Sequence, residues 1–160
     1  MNEILPPICI IQSRKEQLAS YANAAGCLYG ALSISEFVEV FNSYESDETN
    51  EKEAILALQR YAKENPDTVE YSLFMDLIVG PTLHPDSFED DVEYLEVLRN
   101  EQEGKPRYYP KREEFLKFAD ALYISPKKPY ADLKTYILKN NLCDKEGNSG
   151  VIATYSIFMR

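Results

Sequence analysis

Residues 33–44 read SISEFVEVFNSY, residues 50–64 read NEKEAILALQRYAKE, and residues 69–79 read VEYSLFMDLIV. The first two stretches place apolar residues three or four positions apart, which is the period of a helix with one buried face. The third stretch is rich in apolar and β-branched residues on either side of Met75-Asp76, which indicates two strands joined by a tight turn. Together the three stretches predict two helices followed by a hairpin.

Each of these helices opens with a residue type that caps helix N-termini. Ser33–Glu36 has the spacing of a capping box, in which the serine and the glutamate each satisfy a backbone N–H of the other. Asn50–Glu53 has the same spacing. A further box at Ser13–Glu16 predicts an earlier helix that begins there and runs toward Gly30.

Three helices followed by a hairpin is the element order of a winged helix. We therefore predict a winged-helix-like unit over residues 13–81. Residues 86–140 predict three further helices, and residues 144–160 predict a tail that contains a strand-like segment. The expected fold is α+β, mostly α, in a single domain that spans the whole chain, with the three C-terminal helices packed on the winged-helix-like unit.

The C-terminal half of the chain carries finer expectations. Asp86–Glu89 predicts the cap of the fourth helix, and Pro110 suits the first position of the fifth. The fifth helix is predicted to bury one apolar face, made of Phe115, Leu116, Ala119 and Leu122. Residues 8–11 and 151–158 are strand-like and are predicted to pair with each other, within one chain or between the two chains of a homodimer.

The charge of the chain is unevenly distributed. The formal net charge is −10. Residues 1–104 carry 21 acidic and 6 basic residues, whereas residues 105–160 carry 6 acidic and 11 basic residues. The acidic part repels phosphate and the basic part attracts it. The two fields are equally well explained by mutual contact within one fold.

The composition argues against an enzyme and against a cofactor. His84 is the one histidine, and three cysteines, Cys9, Cys27 and Cys143, lie far apart without CxxC spacing. These residues predict neither a metal site nor a nucleophile with its base. No apolar run reaches the roughly 20 residues that span a bilayer, and the first residues lack a basic signal-peptide region. We therefore expect a cytoplasmic protein with no cofactor and no membrane partner.

The best candidates for contact with a protein partner form two groups. Tyrosine and arginine are enriched where proteins bind proteins, and the segment after Gly104 combines both. An acidic helix precedes it. The candidate contact residues are Arg107, Tyr108, Tyr109, Lys111 and Arg112 in the first group, and Glu89, Asp90 and Glu93 in the second. The alternative for the first group is a structural strap whose rings pack between helices.

A nucleic-acid-binding regulator is the first alternative to a protein-binding module. Its contacts on the third helix are Gln59, Arg60 and Lys63, which are residue types that read bases or bind phosphate. The charge disfavours it, because Glu51, Glu53 and Glu64 share that helix. A second alternative is an acidic inhibitor, of the kind found on phages and mobile elements, that mimics DNA and occupies a nucleic-acid enzyme.

Two stretches carry a resemblance to a known family. Residues 21–30 read YANAAGCLYG and precede SISEFVEVFN at residues 33–42, while residues 101–110 read EQEGKPRYYP and precede EEFLKFAD at residues 113–120. These stretches resemble a poorly characterised bacterial and phage-borne family that has an ANA and LYG helix, a winged-helix-like region and a QxGKPxYxP connector. The resemblance covers roughly residues 13–140. It implies the fold and no chemistry, and the metal-binding SEC-C motif of some members has no counterpart here.

Overall fold

The computed structural model describes residues 10–83 and 90–123, together with four helical positions further on, Asp132, Thr135, Tyr136 and Lys139. The described part is α+β and mostly helical. In chain order its elements are α1 (Gln12–Tyr29), β1 (Ala31–Ser33), α2 (Ile34–Tyr44), α3 (Glu51–Glu64), β2 (Ser72–Phe74), β3 (Leu77–Val79), α4 (Asp90–Gln102) and α5 (Arg112–Phe115). Short 3-10 helices follow β3 and α5, at Pro81–Leu83 and Leu116–Ala119.

The three strands form one antiparallel sheet in the order β1-β3-β2. Leu32 of β1 and Leu73 of β2 both pair with Ile78, so the central strand is β3. The turn at Met75 and Asp76 lies where the sequence predicts it, and Met75 adopts a positive φ of 54°. The strand β1 was not predicted, because it is three residues long and is defined by pairing with a strand some 45 residues later along the chain.

The core lies between α1, α2 and α3, with α5 closing one side. Its largest fully buried side chains include Tyr21, Phe37, Phe41 and Phe115. Rings of Tyr21 and Phe41 meet edge to face with centroids 4.9 Å apart, a favourable aromatic geometry. The predicted apolar faces of α2 and α3 are therefore the faces that build the core.

Of the three predicted caps that lie within the described residues, two are confirmed. The Ser33 hydroxyl accepts from the Glu36 N–H while the Glu36 carboxylate accepts from the Ser33 N–H, and Asn50 accepts from the Glu53 N–H. The predicted start of the first helix is wrong. Helix α1 begins at Gln12 because the Arg14 and Lys15 N–H groups donate to the carbonyl of Ile11, which places Ser13 inside the first turn.

The first strand of the hairpin is shorter than the run of β-favouring residues that begins at Val69. Backbone and side chains before β2 bond to helices instead of to a strand. The Glu70 N–H donates to the Asn23 side chain, and the Tyr71 hydroxyl donates to the carbonyl of Leu58. Ladder pairing therefore starts only at Ser72.

The prediction for the fifth helix is wrong in two respects. Pro110 precedes the helix, which begins at Arg112, and its carbonyl accepts from the Tyr44 hydroxyl. After Phe115 the chain continues as a 3-10 helix with about three residues per turn, which buries Phe118 and ends at Ala119. Leu122 lies in the turn that follows, outside any helical face, and is 81% exposed.

Several predictions fall on residues that lie outside the described ranges. These are the cap Asp86–Glu89, the strand-like residues 8–9 and 151–158, and the tail over residues 144–160. Of the predicted N-terminal strand, Ile10 and Ile11 are described, and neither belongs to a strand.

Candidate functional site

A half-buried ionic hub at Glu36 joins α2, α4 and the connector over residues 103–111. The capping box turns the Glu36 carboxylate back onto Ser33, and the same carboxylate accepts from Arg99 Nη1 at 2.6 Å and from Arg107 Nη2 at 2.9 Å. Burial alone would raise its pKa, but the hydrogen bonds from Ser33 and the two guanidinium groups hold the pKa of Glu36 at about 2. The hub therefore fixes α4 against the N-terminal unit.

The connector is a strap tied to α1 and α2 by backbone and side-chain bonds. The hydroxyls of Tyr29 and Tyr44 donate to the carbonyls of Tyr108 and Pro110, at 2.8 and 2.9 Å. Gln102 donates to the carbonyl of Tyr29. Burial raises the pKa of both Tyr29 and Tyr44, so these hydroxyls remain protonated donors.

The structure divides the predicted connector contacts into two kinds. Arg107 bonds to Glu36 and stacks over the Tyr29 ring at 5.1 Å, and Arg112 bonds to Glu45. These two arginines position the strap, as the structural alternative expects. Tyr108, Tyr109 and Lys111 are exposed.

The predicted acidic contacts lie on or before α4. Glu89 is outside the described residues, Asp90 is the first residue of the helix, and Glu93 is exposed. Helix α4 packs inward through Leu95, which is buried with Ala31 and Val79. Its outer side presents Tyr94 and Val97, which are 53% and 52% exposed.

Two adjacent pockets flank α4 and share Arg99 and Asn100. One, of about 380 Å³, lies between α4 and the hairpin tip and is lined by Phe74, Met75 and Leu77 as well as Leu95. The other, of about 460 Å³, lies between α4, α2 and the strap, with Glu39, Lys105 and Tyr109 in its wall. We call this surface, made of the outer side of α4 and the two flanking pockets, the α4 surface.

The hairpin tip adds an apolar edge without a cation. Met75 is 81% exposed at the tip, and no lysine or arginine occurs between Lys63 and Arg99 in the sequence. An exposed apolar tip beside an acidic helix suits a protein surface better than a phosphate backbone.

A second ionic cluster, at Arg14, fixes the start of α3. All five N–H groups of its buried guanidinium are used: they donate to Glu53, to Gln17 and to the carbonyls of Asp47 and Glu48. The guanidinium also lies 5.0 Å from the centroid of the Phe41 ring. This cluster joins α1 to the loop between α2 and α3.

The candidate nucleic-acid residues lie on α3, where Gln59 and Lys63 are exposed and Arg60 is half-buried. Two of the three α3 glutamates that disfavour nucleic-acid binding are paired with cations of α1. Glu53 bonds to Arg14 and Glu64 bonds to Lys15, so both point to α1. The number of acidic residues in the α3 sequence therefore overestimates the negative charge on the outer side of this helix.

Sequence reasoning missed both ionic clusters. Arg99 lies 63 positions from its partner Glu36, so this pairing has no local signature in the sequence. Arg14 likewise gives no local signal, since its acceptors include two backbone carbonyls of a distant loop and the Glu53 carboxylate, 39 positions away.

Neither a metal-binding group of side chains nor a membrane-spanning helix is found among the described residues. Over residues 10–83 and 90–123, no group of three or more His, Cys, Asp and Glu side chains is arranged to hold a metal ion. No helix in the described part of the chain is long and apolar enough to cross a membrane. A scan against protein-family models, a search of curated proteins and a search of solved structures each give no match.

Proposed function

We propose that this chain is a non-enzymatic protein-binding module that uses the α4 surface to contact its partner. The observation that carries the proposal is the pair Tyr94 and Val97, which stay about half exposed one helical turn apart on the outer side of α4. Tyrosine in such a position is a frequent anchor of protein interfaces. The strap and the Glu36 hub bond this helix to α1 and α2, and a helix held in place in advance lowers the ordering cost of binding.

The scaffold of the module is, in this proposal, a winged-helix-like unit with additional C-terminal helices. The order α1-β1-α2-α3-β2-β3 and the sheet order β1-β3-β2 support it. The family resemblance belongs to the same proposal. It is supported by the direct bonds between its two motif regions, since Tyr29 is bonded to both Gln102 and Tyr108.

The test is a pull-down from host lysate with nuclease present throughout. Immobilised wild-type protein is compared with Val97→Asp, which places a charge on the α4 surface, and with Leu122→Asp, a matched change at an apolar residue that is exposed elsewhere. We expect a protein partner that Val97→Asp loses and Leu122→Asp retains. Recovery that needs intact nucleic acid, or that ignores Val97→Asp, would overturn the proposal.

A nucleic-acid-binding regulator is the second candidate, and one observation favours it. Because Arg14 and Lys15 neutralise Glu53 and Glu64, the outer side of α3 presents Lys52, Gln59 and Lys63 with Glu51 as the remaining exposed acid. Salt-sensitive binding to duplex DNA that Lys63→Glu abolishes would support this candidate over the first.

A further inference from the structure

The outer side of α4 combines an apolar pair with acidic neighbours. Tyr94 and Val97 are three positions apart, so they lie side by side along one stripe of the helix. Glu93 and Glu101 lie four positions before and after Val97, on the same side, and both are exposed. This stripe is an apolar strip with acids at each end.

The cations near this stripe are engaged elsewhere. Arg99 turns inward, where its guanidinium bonds to Glu36. Lys105 lies 3.4 Å from Glu101 in an exposed pair, which is weak in water. The next basic residue before Arg99 in the sequence is Lys63. Within the part of the chain that the structure describes, the exposed acids Glu93, Glu96 and Glu101 outnumber the exposed cation Lys105, so these residues give the stripe a negative field.

We propose that the α4 surface docks an amphipathic basic helix, with apolar residues one turn apart and lysine or arginine on both sides of them. The proposal rests on the protein-binding function and names the chemistry of its partner. Apolar residues of such a helix cover Tyr94 and Val97, while its cations meet Glu93 and Glu101.

The apolar pair distinguishes this partner from a generic polycation. An acidic patch alone attracts any basic chain through weak, screened contacts that give no orientation. Burial of the Tyr94 ring and the Val97 side chain adds a contribution that salt does not screen. Binding to the proposed partner therefore keeps a salt-resistant component, whereas binding to a polycation does not.

The experiment uses a synthetic amphipathic peptide of leucine, alanine and lysine, about 14 residues long and labelled for fluorescence anisotropy. Its control is a scrambled peptide of the same composition that has no apolar stripe. Each is titrated with the wild-type protein, with Val97→Asp, with Glu93→Lys and with Leu122→Asp, at low and at moderate salt.

We expect the amphipathic peptide to bind at least about tenfold more tightly than the scrambled one, and both Val97→Asp and Glu93→Lys to remove that difference. Leu122→Asp leaves it intact. Equal binding of the two peptides, or indifference to Val97→Asp, overturns the proposal. Circular dichroism of each variant checks that its helices are retained.

Two further outcomes separate this inference from the proposed function. If the pull-down partner depends on Val97 but the basic peptide does not bind, the protein-binding function stands and the basic partner is wrong. If sedimentation shows a dimer that Val97→Asp converts to monomer, a second copy covers the α4 surface and the basic partner is again wrong.

Discussion

At the scale of single residues, the fold uses its few cations as internal ties. Arg14, Arg99, Arg107 and Arg112 each bond to a glutamate on a different element. Removing one partner of the most buried pair, Arg14–Glu53, has a large penalty because the other is left charged and poorly solvated, whereas the more exposed Arg112–Glu45 pair contributes less. The acidic surplus of the N-terminal part is consequently smaller at its surface than in its sequence.

Glu36→Gln tests the hub by its dependence on pH. The pKa of Glu36 is lowered from 4.5 to about 2, so its stabilising contribution is complete above pH 4.5 and disappears as the pH falls toward 2. We expect Glu36→Gln to lower the free energy of unfolding at pH 7 by about 1–2 kcal/mol, a value discounted for partial exposure. The loss should vanish near pH 2.

The measurement is urea unfolding of both proteins at several pH values between 2 and 7. Glu39→Gln, at an exposed position one turn further along the same helix, serves as the control and should change stability by less than about 0.5 kcal/mol. A constant difference between wild type and Glu36→Gln over this whole pH range would contradict the assignment of the hub.

Arg14→Lys tests the second cluster. Lysine keeps the charge but has three donors in place of five, so at least two of the five hydrogen bonds from Arg14 are lost. We expect a loss of about 2–3 kcal/mol in the free energy of unfolding. Arg112→Lys, at a more exposed pair, should cost less than about 1 kcal/mol, and similar losses in the two variants would refute the distinction.

At the scale of elements, the sheet is held to α1 by a close approach of two glycines. A Cβ on Gly80 would lie 2.1 Å from the carbonyl oxygen of Gly26, a separation that requires the backbone to move. The N–H of Gly80 donates to the carbonyl of Gly30 at 2.7 Å, which fixes the end of β3 against the end of α1. The position of the hairpin, and with it one wall of the α4 surface, depends on this contact.

Gly80→Ala is therefore expected to cost about 2 kcal/mol or more, since overpacking against backbone cannot be relieved by a rotamer change. Gly104→Ala is the matched control, because Gly104 has a φ of +72° and no atom within 4 Å of its added Cβ. It should cost about 1 kcal/mol through backbone strain alone. Thermal unfolding of both variants shows which one loses more stability. A smaller loss of stability for Gly80→Ala than for Gly104→Ala would show that the sheet is free to shift.

Elements with local signals were predictable, and those set by distant contacts were not. Ser33 and Asn50 cap their helices within three residues, so the sequence around them was sufficient. The strand β1 depends on a partner strand far along the chain. The prediction that Leu122 is buried is wrong because the helix ends at Ala119, and sequence periodicity does not report that end.

The candidate site was likewise only partly predictable from the sequence. The connector was recognised by its tyrosines and arginines, yet which of them face inward was decided by Glu36, Glu45 and the hydroxyls of two other helices. The apolar pair on α4 is not recognisable from the sequence alone, because the elements that pack against a helix decide which of its apolar residues stay exposed.

At the scale of the whole molecule, charge argues for a protein partner over a nucleic acid. Residues 12–79 contain 12 acidic and 5 basic residues. Arg14 and Lys15 are buried in contacts with α3, so the cations of this range that lie on α3 itself are Lys52, Arg60 and Lys63. The hairpin, which would approach a neighbouring groove, supplies no cation at all.

The positions of these basic and acidic residues predict how DNA binding depends on salt. Three phosphate contacts would give a salt slope of about −2.7, so affinity would fall about 40-fold between 50 and 200 mM salt. Because Glu51, Asp67 and Glu70 are exposed near the same side, we expect no measurable affinity for random duplex DNA at micromolar protein even at 50 mM salt. Gel-shift and anisotropy titrations test this, with the triple variant Lys52→Glu, Arg60→Glu and Lys63→Glu as the control. If the wild-type protein binds DNA with a salt slope of about −2.7 and the triple variant does not bind, the functional surface lies on α3 and not on α4. The three cations then outweigh the acids around them.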